Sequence, residues 1–503
     1  MGTRTKDDYI ATIGLEIHAE LKTSSKMFCS CKNDPDEEKP NVNICPICLG
    51  HPGTLPVLNK QAIKHVLKIG YAVNGTINNF TEWDRKNYFY PDIPKGYQIS
   101  QYKYPLVTGG EVGGIKITRI HLEEDTGQST HDTHDKSLIN FNRAGVPLME
   151  LVTEPVIHDA KTALVFAQEL QLLLRFLGVG EANMEKGEMR VEANISVATK
   201  QDTLSKKFGT KTEVKNLNSF KVVEKAILYE IARQIDILID GGMVVQETRG
   251  WDEDRGETYS QRVKESSHDY RYFPDPDIPK LLINEIRDFS EESLRKEIGE
   301  LPWEKRERYK KSFGMTDKEI SVFISNTELA KYFENIISYI EEKKGSDSKK
   351  DERIDDNKKM TRLVTNYILT DYLGLIKNEL AIDTIKYKNF GDLISMIDEG
   401  ILSSRGAKDL LSILITESIK ARKENTDIDV KNIVDKNNLA QKSDEKEIKD
   451  IVKDIVDKNT KVVEDYRKGK TMAIQFLVGQ GMKMTKGTAN PEILRKIILD
   501  LLK

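Results

Sequence analysis

The stretch GLEIHAELK, residues 14–22, decides how the N-terminal part of this chain folds. Apolar and polar residues alternate through it without interruption, which is the two-residue period of a half-buried β-strand. Glu16 and His18 share the polar face, and two residues of strand separate them by about 7 Å. Both side chains can therefore converge on one cation. The alternative is an ordinary solvated strand face on which the histidine has no special role.

Length and composition limit the kinds of protein that the whole chain can be. Its 503 residues predict two to four domains with ample length to bury a core. Hydrophobic residues make up 38% and charged residues 31%, which is typical of a well-solvated protein. The net charge of −4 does not demand nucleic acid, so any RNA contact must come from a local patch. Because the sequence has neither an apolar signal segment nor eighteen consecutive apolar residues, we expect a soluble, cytoplasmic protein without a membrane partner.

All four cysteines fall within one short segment. Their pattern is C-x-C, a polar loop of thirteen residues, then C-x-x-C, at Cys29, Cys31, Cys45 and Cys48. A disulfide framework is not expected in a cytosolic chain of this size. Four thiolates at this spacing instead predict a closed, structural zinc site that holds the loop. Redox-active or unmetallated thiols are the alternative.

The pattern of elements changes along the chain. Residues 1–293 mix short strand-like runs with a few helices and lack a regular βαβ rhythm, which predicts an α+β domain with a largely antiparallel sheet. Residues 294–410 read as a helical domain, and 411–503 as a small helical tail. Residues 341–359 form a charge-balanced polar run. Residues 466–503 carry eight basic and two acidic side chains, so this local charge of +6 predicts an RNA-backbone contact or else a solvated helical face.

Many segments, from about residue 10 to the end, resemble one family. They are GLEIHAELKT, the cysteine quartet, LPVLNKQAI, RKNYFYPDIPKGYQISQY, HLEEDTG, NRAGVPLMELVTEP, MRVEANIS, KTEVKNLNSF, ETRGWDE, HDYRYFPDPDIP and KGKTMAIQFLVGQGMKMTKGTANP. Together they resemble the B subunit of the tRNA-dependent amidotransferase, which converts Glu-tRNA(Gln), and often Asp-tRNA(Asn), to the amidated form. The polar run 341–359 is not part of the family pattern.

The resemblance implies a cradle-shaped catalytic domain, a helical domain and a tail that touches tRNA. It also implies a heterotrimer, in which a glutaminase subunit releases ammonia and a small third subunit clasps the two large chains. The B subunit uses ATP to convert the side-chain carboxylate of the misacylated amino acid to an acyl phosphate, and ammonia then displaces phosphate. Whether Glu-tRNA, Asp-tRNA or both are substrates stays open.

By motif, the family's magnesium site corresponds to Glu16, His18, Glu124 and Glu150, to which we assign catalysis. Phosphoryl transfer depends on positioning and charge neutralisation, which suits carboxylates that hold a divalent ion. Glu123 and Asp125 are neighbours that could replace Glu124 in this assignment. The alternatives are a solvated loop acid for Glu124 and an outward strand position for Glu150.

A larger set of polar residues is expected to bind ATP or the aminoacylated CCA end. Lysine is a compact charge suited to phosphate, and tyrosine can stack on adenine. The set comprises Lys86, Tyr88, Lys95, Gln98 and Ser100, with Arg190, Glu192, Asn194 and Lys215 as a second row that lines the cradle or an ammonia path. Weaker candidates are His268, Asp269 and Arg271.

The sequence lacks a Walker motif and a kinase-type glycine loop, so any ATP site has an unrelated design. A function of a different class is a zinc-stabilised, catalytically silent tRNA-binding scaffold that holds an amidase partner. The acidic cluster beside His18 argues for the enzyme, because an RNA scaffold has little use for inward-facing acids.

Overall fold

The computed structural model describes residues 5–34, 36–133, 136–263, 270–344, 350–377, 379–441, 445–467, 470–485, 489 and 491–502. Contacts between residues divide the chain into two units, Met1–Pro302 and Trp303–Lys503.

The first unit contains the strands and five α-helices. The strands are β1 (Tyr9–Glu20), β2 (Thr76–Ile77), β3 (Phe80–Thr81), β4 (Asp84–Asn87), β5 (Tyr97–Ser100), β6 (Val107–Thr108), β7 (Glu111–Val112), β8 (Ile115–Glu124), β9 (Gln128–Thr133), β10 (Lys136–Asn140), β11 (Pro147–Thr153), β12 (Met189–Thr199), β13 (Thr212–Leu217), β14 (Glu247–Asp252), β15 (Glu257–Val263), β16 (Phe273–Pro274) and β17 (Leu281–Leu282). The helices are α1 (Lys60–Ala72), α2 (Ala160–Phe176), α3 (Lys200–Leu204), α4 (Phe220–Ile239) and α5 (Glu291–Ile298), with 3₁₀ turns at Lys6–Asp8, Ile283–Glu285 and Arg287–Phe289.

One large sheet organises this unit. Its strand order is β15-β14-β13-β12-β1-β11-β8-β6-β2, with β7 paired to β8. Only the β13–β14 pair is parallel among the described strands of this sheet, and the other pairs are antiparallel. The strand predicted over residues 14–22 is the middle of this arrangement, since β1 pairs with β11 on one side and β12 on the other. The predicted α+β class with a largely antiparallel sheet is confirmed.

The apolar face of β1 supplies the core. Ile13, Leu15 and Ile17 are at most 1% exposed, as alternation predicts for one face of a half-buried strand. Helix α4 packs on β12 and β13, and α2 packs on α4 and β1. Asp159 caps α2 by accepting a hydrogen bond from the Thr162 amide at 2.8 Å, as its sequence position indicates. With helices on the apolar face, the polar face of the sheet is left to carry other chemistry.

The second unit is helical. It comprises α6 (Pro302–Phe313), α7 (Asp317–Ser325), α8 (Thr327–Lys344), α9 (Lys350–Asn366), a π-helical turn (Tyr367–Tyr372), α10 (Leu373–Ile376), α11 (Tyr387–Asp398), α12 (Ser404–Glu424), α13 (Val430–Lys436), α14 (Glu445–Lys458), α15 (Thr460–Arg467), α16 (Ala473–Met484) and α17 (Pro491–Leu502). The last four helices enclose their own apolar cluster, which includes Val452, Leu477 and Leu494.

Neither predicted internal boundary lies in a linker. The division after residue 293 falls inside α5, and the division after residue 410 falls inside α12. The first lies close to the division that contacts between residues place after Pro302. Of the polar run 341–359, residues 345–349 lie outside the described residues, and 350–359 belong to α9.

Among the described residues, no helix combines the length and the apolar character needed to cross a membrane.

Replacing Ile17 with alanine should lower the free energy of unfolding by about 3 kcal/mol, because it leaves a cavity in the core beneath β1. Urea unfolding followed by tryptophan fluorescence measures this, since Trp83 and Trp251 are 1% and 9% exposed in the same unit. The control is Leu204→Ala, at a residue that is 87% exposed, where a change within about 0.5 kcal/mol is expected. Equal effects of the two substitutions would contradict the placement of β1 in the core.

Candidate functional site

The polar face of the central strands carries the candidate site. Strand register places His18 of β1 opposite Glu150 of β11 on one side and Arg190 of β12 on the other. Glu16 lies opposite Glu192 of β12. Directly paired residues share a face, so the register gathers these side chains from three strands.

A histidine lies at the centre of three carboxylates. The Nε2 atom of His18 is 3.4 Å from Glu150 Oε2, 3.5 Å from Glu123 Oε1 and 4.0 Å from Glu16 Oε1. Glu123 and Glu150 are buried, whereas the Glu16 side chain is 28% exposed. We call Glu16, His18, Glu123 and Glu150 the carboxylate–histidine group. The structure thus brings together three of the four residues to which the sequence assigned magnesium.

Glu124, the fourth predicted residue, does not lie in this group. Consecutive residues of β8 face opposite sides, so Glu123 points towards His18 while Glu124 points away. Glu124 Oε1 accepts a hydrogen bond from the Ile99 amide at 2.9 Å and is paired with the Lys95 ammonium. Its place beside His18 is taken by Glu123, which the sequence allowed as an alternative.

The group carries an excess of negative charge. Burial disfavours the charged imidazole, but the hydrogen bond and charge of Glu150, with the charges of Glu123 and Glu16, raise the pKa of His18 to about 9. Burial, followed by the charges of Glu150 and Glu192, raises the pKa of Glu16 to about 7. Burial also opposes ionisation of Glu150, but His121 and His18 hold its pKa well below the usual range. Such a group favours a cation, whether a proton or a metal ion.

A second histidine, His121, belongs to the same surface. Its Nε2 atom is 3.4 Å from Glu150 Oε2 and 3.9 Å from Glu123 Oε2, and the residue is 2% exposed. His121 was not among the residues predicted from the sequence, although His121 and Glu123 are two residues apart and so share a strand face. The Nδ1 atoms of both His18 and His121 are buried without a hydrogen-bond partner among the described residues.

The second row of polar residues predicted from the sequence lies beside the carboxylate–histidine group; it consists of Arg190, Glu192, Asn194 and Lys215. Lys215 Nζ is 2.7 Å from Glu192 Oε2, and carboxylate oxygens of Glu16, Glu192 and Glu213 lie within 4.8 Å of one another. Glu213 was not assigned from sequence, because nothing in the sequence shows that its strand pairs with β12. Asn194 lies opposite Glu213, and its side-chain oxygen is buried without a partner among the described residues.

The predicted substrate residues of β4 and β5 share one face of these strands, and Lys95, in the loop between them, pairs with Glu124. Ser100 donates a hydrogen bond from Oγ to Glu123 Oε2 at 3.0 Å. Burial opposes the charged form of Lys86, but the charge of Glu123 above all raises its pKa. Lys86 lies opposite Gln98, on the face of these strands that also carries Ser100, and so faces the carboxylate–histidine group. Gln98 donates from Nε2 to the Glu124 backbone carbonyl at 2.7 Å, whereas Lys95 pairs with the Glu124 side chain.

Aromatic rings surround Lys86. Its Nζ atom lies 5.1 Å from the ring centroid of Tyr270 and 5.8 Å from that of Tyr88. The Tyr272 ring stacks on Tyr102 with centroids 4.3 Å apart. This wall can bind a cationic or planar group next to the acids. His268 and Asp269 lie outside the described residues, and the carbonyl of Arg271 accepts a hydrogen bond from Asn87 Nδ2 at 2.9 Å.

The four cysteines also come together. Their sulfur atoms lie within 4.8 Å of one another, and none forms a disulfide. A hydrogen bond from Cys29 outweighs burial and lowers the pKa of Cys48 to about 5. Cys48 and Cys29, with Lys95 and Glu124, line a cavity of about 210 Å³. The quartet is therefore a second group able to hold a metal ion, on the side of the sheet to which Glu124 points.

These features define a class: an α+β protein whose central antiparallel strands present a buried carboxylate–histidine group, followed by a helical unit. Residues 11–287 match the family described as the GatB/GatE catalytic domain, and residues 352–502 match the one described as the GatB domain.

Relatives resemble the chain over its whole length. The B subunit of aspartyl/glutamyl-tRNA(Asn/Gln) amidotransferase from Caldicellulosiruptor saccharolyticus is 43% identical, over 99% of each chain. The B subunit from Persephonella marina is 41% identical over 99% of this chain and 100% of its own, and that from Crocosphaera subtropica is 40% identical over 99% of each. The chain therefore belongs to the family of aspartyl/glutamyl-tRNA(Asn/Gln) amidotransferase B subunits, which confirms the resemblance inferred from its motifs.

Asp125, the last acid of the HLEED motif, should be essential for stability. It is 4% exposed, and its carboxylate lies 2.7 Å from Arg143 Nε and 3.1 Å from Arg190. Asp125→Asn should lower the free energy of unfolding by about 3 kcal/mol, because two guanidinium groups lose a buried counterion. The measurement is urea unfolding, with the exposed Asp288→Asn as the control that leaves stability unchanged.

The pH dependence of this effect has a definite sign. Burial opposes ionisation of Asp125, but Arg190 and Arg143 outweigh it and lower its pKa below the ordinary 3.8. A depressed carboxylate pKa stabilises the folded state fully above the unfolded value and loses that effect as pH falls through the folded value. The titration of Asp125 itself should therefore shrink the difference between wild type and Asp125→Asn below about pH 4. Glu20, which lies 3.0 Å from Arg143 Nε and whose burial raises its pKa to about 7, adds a separate change near neutral pH. A difference that does not shrink as pH falls from 5 to 3 would contradict this account.

Proposed function

We propose that this chain is the ATP-dependent transamidating subunit of a tRNA-dependent amidotransferase. Its substrates would be Glu-tRNA(Gln), Asp-tRNA(Asn) or both, and its products Gln-tRNA(Gln) and Asn-tRNA(Asn). Family membership supports the reaction class. The observation that carries the enzymatic role is the carboxylate–histidine group, since a scaffold that only bound RNA would not be expected to bury Glu123 and Glu150 against His18.

The reaction has two steps. A carboxylate oxygen of the misacylated side chain attacks the γ-phosphorus of ATP, the bond to the bridging oxygen breaks, and ADP leaves. Ammonia then attacks the carbonyl carbon of the acyl phosphate, a carbon–nitrogen bond forms, the bond from that carbon to the phosphate oxygen breaks, and the proton lost from nitrogen leaves with the phosphate. The first step brings a carboxylate and a polyphosphate together and the second expels phosphate, so the protein must neutralise and position charge more than it must supply a nucleophile.

The chain offers matching groups for that task. Glu16, Glu123 and Glu150 present carboxylate oxygens, which are the ligands that Mg²⁺ prefers, and they fit a divalent ion that would screen the phosphates when bound. His18 orients Glu150 by holding a hydrogen bond to it. Lys86 is a point charge for a phosphate or the substrate carboxylate, and Arg190 and Lys215 are further cations of the same polar face. The stacked tyrosines suit an adenine.

The cysteine quartet fits a structural zinc ion. Four thiols whose sulfurs converge, one with a depressed pKa, are a donor set that tetrahedral Zn²⁺ uses. The Met27 amide donates to the Gly145 carbonyl at 2.7 Å, so a fixed cysteine loop would also hold the turn that leads into β11. Zinc would then act on the site through the backbone and not through chemistry.

The partners follow from the same proposal. A glutaminase subunit would supply ammonia, and a small third subunit would complete a cytoplasmic heterotrimer. Misacylated tRNA would contact the polar face of the sheet and the basic tail. An acyl phosphate hydrolyses readily, so delivery of ammonia away from bulk water is consistent with this assembly.

The decisive test is amidation by the reconstituted trimer, with ATP and each misacylated tRNA. Glu150→Gln and Glu123→Gln should each reduce ATP-dependent amidation at least about a hundredfold, because they remove charge that organises the transferred phosphate. Glutaminase activity and tRNA binding should persist. Glu111→Gln, an exposed acid of β7, is the control with wild-type activity. Amidation at the wild-type rate by both site variants would favour the scaffold function.

Zinc should be retained by the purified full-length protein at about one ion per chain. Cys48→Ser should lower both the zinc content, measured by mass spectrometry, and the thermal midpoint, because the loop loses a ligand. Ser30→Ala, an exposed position between two of the cysteines, should change neither. Four thiols that react at once with a thiol reagent in metal-free native protein would instead support the redox or unmetallated alternative.

A further inference from the structure

A small cavity in the helical unit lies between the start of α11 and the last turns of α12. Its volume is about 140 Å³. The described lining residues include two cations and five neutral hydrogen-bonding side chains but no acid: Thr384, Lys386, Asn389, Ser418, Ala421, Arg422, Asn425, Thr426 and Ile428. No motif in the sequence indicated a role for these residues. This composition suits an anion.

The start of α11 adds to the positive character of the cavity. Lys386 is the N-cap of this 12-residue helix and makes no capping hydrogen bond with its side chain. The first amides of a helix lack intrahelical partners, and the helix dipole places partial positive charge there. At the opposite wall the Ala421 carbonyl is already satisfied, because it accepts hydrogen bonds from the Asn425 and Thr426 amides.

A second observation independently indicates a ligand. Ser418 lines the cavity and is 7% exposed, and its hydroxyl is buried without a hydrogen-bond partner among the described residues. Burying a hydroxyl in this state costs free energy that a hydrogen bond would recover. Asn389, at 8% exposure, supplies an amide to the same cavity.

The two cations are held at the cavity by exposed acids. Lys386 Nζ lies 2.7 Å from Asp427, and an Arg422 nitrogen lies 3.3 Å from Asp383. The acid side chains are 93% and 71% exposed. Exposed ion pairs contribute little to stability, so either cation can exchange its partner for a phosphate oxygen.

We propose that this cavity binds a phosphate group. Arg422 and Lys386 would supply charge-assisted hydrogen bonds, Ser418 would donate its hydroxyl, and the α11 amides would face the remaining oxygens. A neighbouring cavity of about 860 Å³ shares Lys386 and Asn389. Because Glu328, Asp383, Asp392 and Asp427 also line that second cavity, the phosphate is placed in the first cavity alone.

Calorimetric titration of the full-length protein with inorganic phosphate at constant ionic strength tests the site. Wild type should bind phosphate saturably, and Arg422→Gln should weaken binding about tenfold through loss of a charge-assisted bond. Lys423→Gln, the adjacent helix position that does not line either cavity, removes the same charge and should leave affinity unchanged. Absence of saturable binding by wild type, or equal losses in the two variants, would overturn the proposal.

Ser418→Ala provides a variant that should fold normally. It removes an unpaired hydroxyl, so thermal stability should not fall, while phosphate affinity should fall about fivefold. Unchanged affinity would remove Ser418 from the site and contradict the proposal.

The source of the phosphate is decided by competition with a tRNA transcript. Displacement of inorganic phosphate by the transcript identifies an RNA backbone phosphate as the ligand, and retention identifies a small phosphate ester; both outcomes support a phosphate site. The inference does not rest on the proposed transamidation, because phosphate binding is measured without the partner subunits or ATP.

Discussion

Crowding of carboxylates on one face of an antiparallel sheet is the constraint on which the site depends. Glu123 and Glu150 are buried, Glu16 is largely buried, and all three face one imidazole. Like charges in such a place repel, and burial removes the water that would screen them. Burial, followed by the neighbouring carboxylates, raises the pKa of Glu16, and the carboxylates outweigh burial to raise the pKa of His18. The arrangement is stable only with positive charge nearby.

Three consecutive acids, Glu123 and Glu124 at the end of β8 and Asp125 directly after it, connect the carboxylate–histidine group to neighbouring parts of the first unit. Glu123 faces His18, Glu124 faces Lys95 and the cysteine loop, and Asp125 binds Arg143 and Arg190. Strand alternation sends the first two in opposite directions. The motif thus ties together the polar face of the sheet, the cysteine quartet and β12. A change at one of these acids should therefore affect a different part of the molecule from a change at its neighbour.

The features that could be predicted from the sequence are those set by the spacing of nearby residues. Alternation in β1 put Glu16 and His18 on one face, the spacing of four cysteines put their sulfurs together, and Asp159 identified the start of α2. What it missed depends on register between strands: the choice between Glu123 and Glu124, the contribution of His121, and the approach of Glu213 to Glu16. The predicted domain boundaries after residues 293 and 410 fall inside α5 and α12 and stay predictions, while contacts between residues divide the chain after Pro302. The cavity beside Ser418 forms only because α11 packs near α12, and no sequence motif predicts that packing.

The sheet and the helical unit each carry a polar site, and the two sites have opposite charge. On the sheet, acids outnumber the cations that reach them, and the Nδ1 atoms of His18 and His121 find no partner in the part of the chain that the structure describes. In the helical unit, the described walls of the cavity hold cations and an unpaired hydroxyl without an acid. Because a folded protein usually pairs its buried polar groups internally, both departures imply that something outside the chain completes them. The proposed divalent cation would complete the first group, and the proposed phosphate would complete the second.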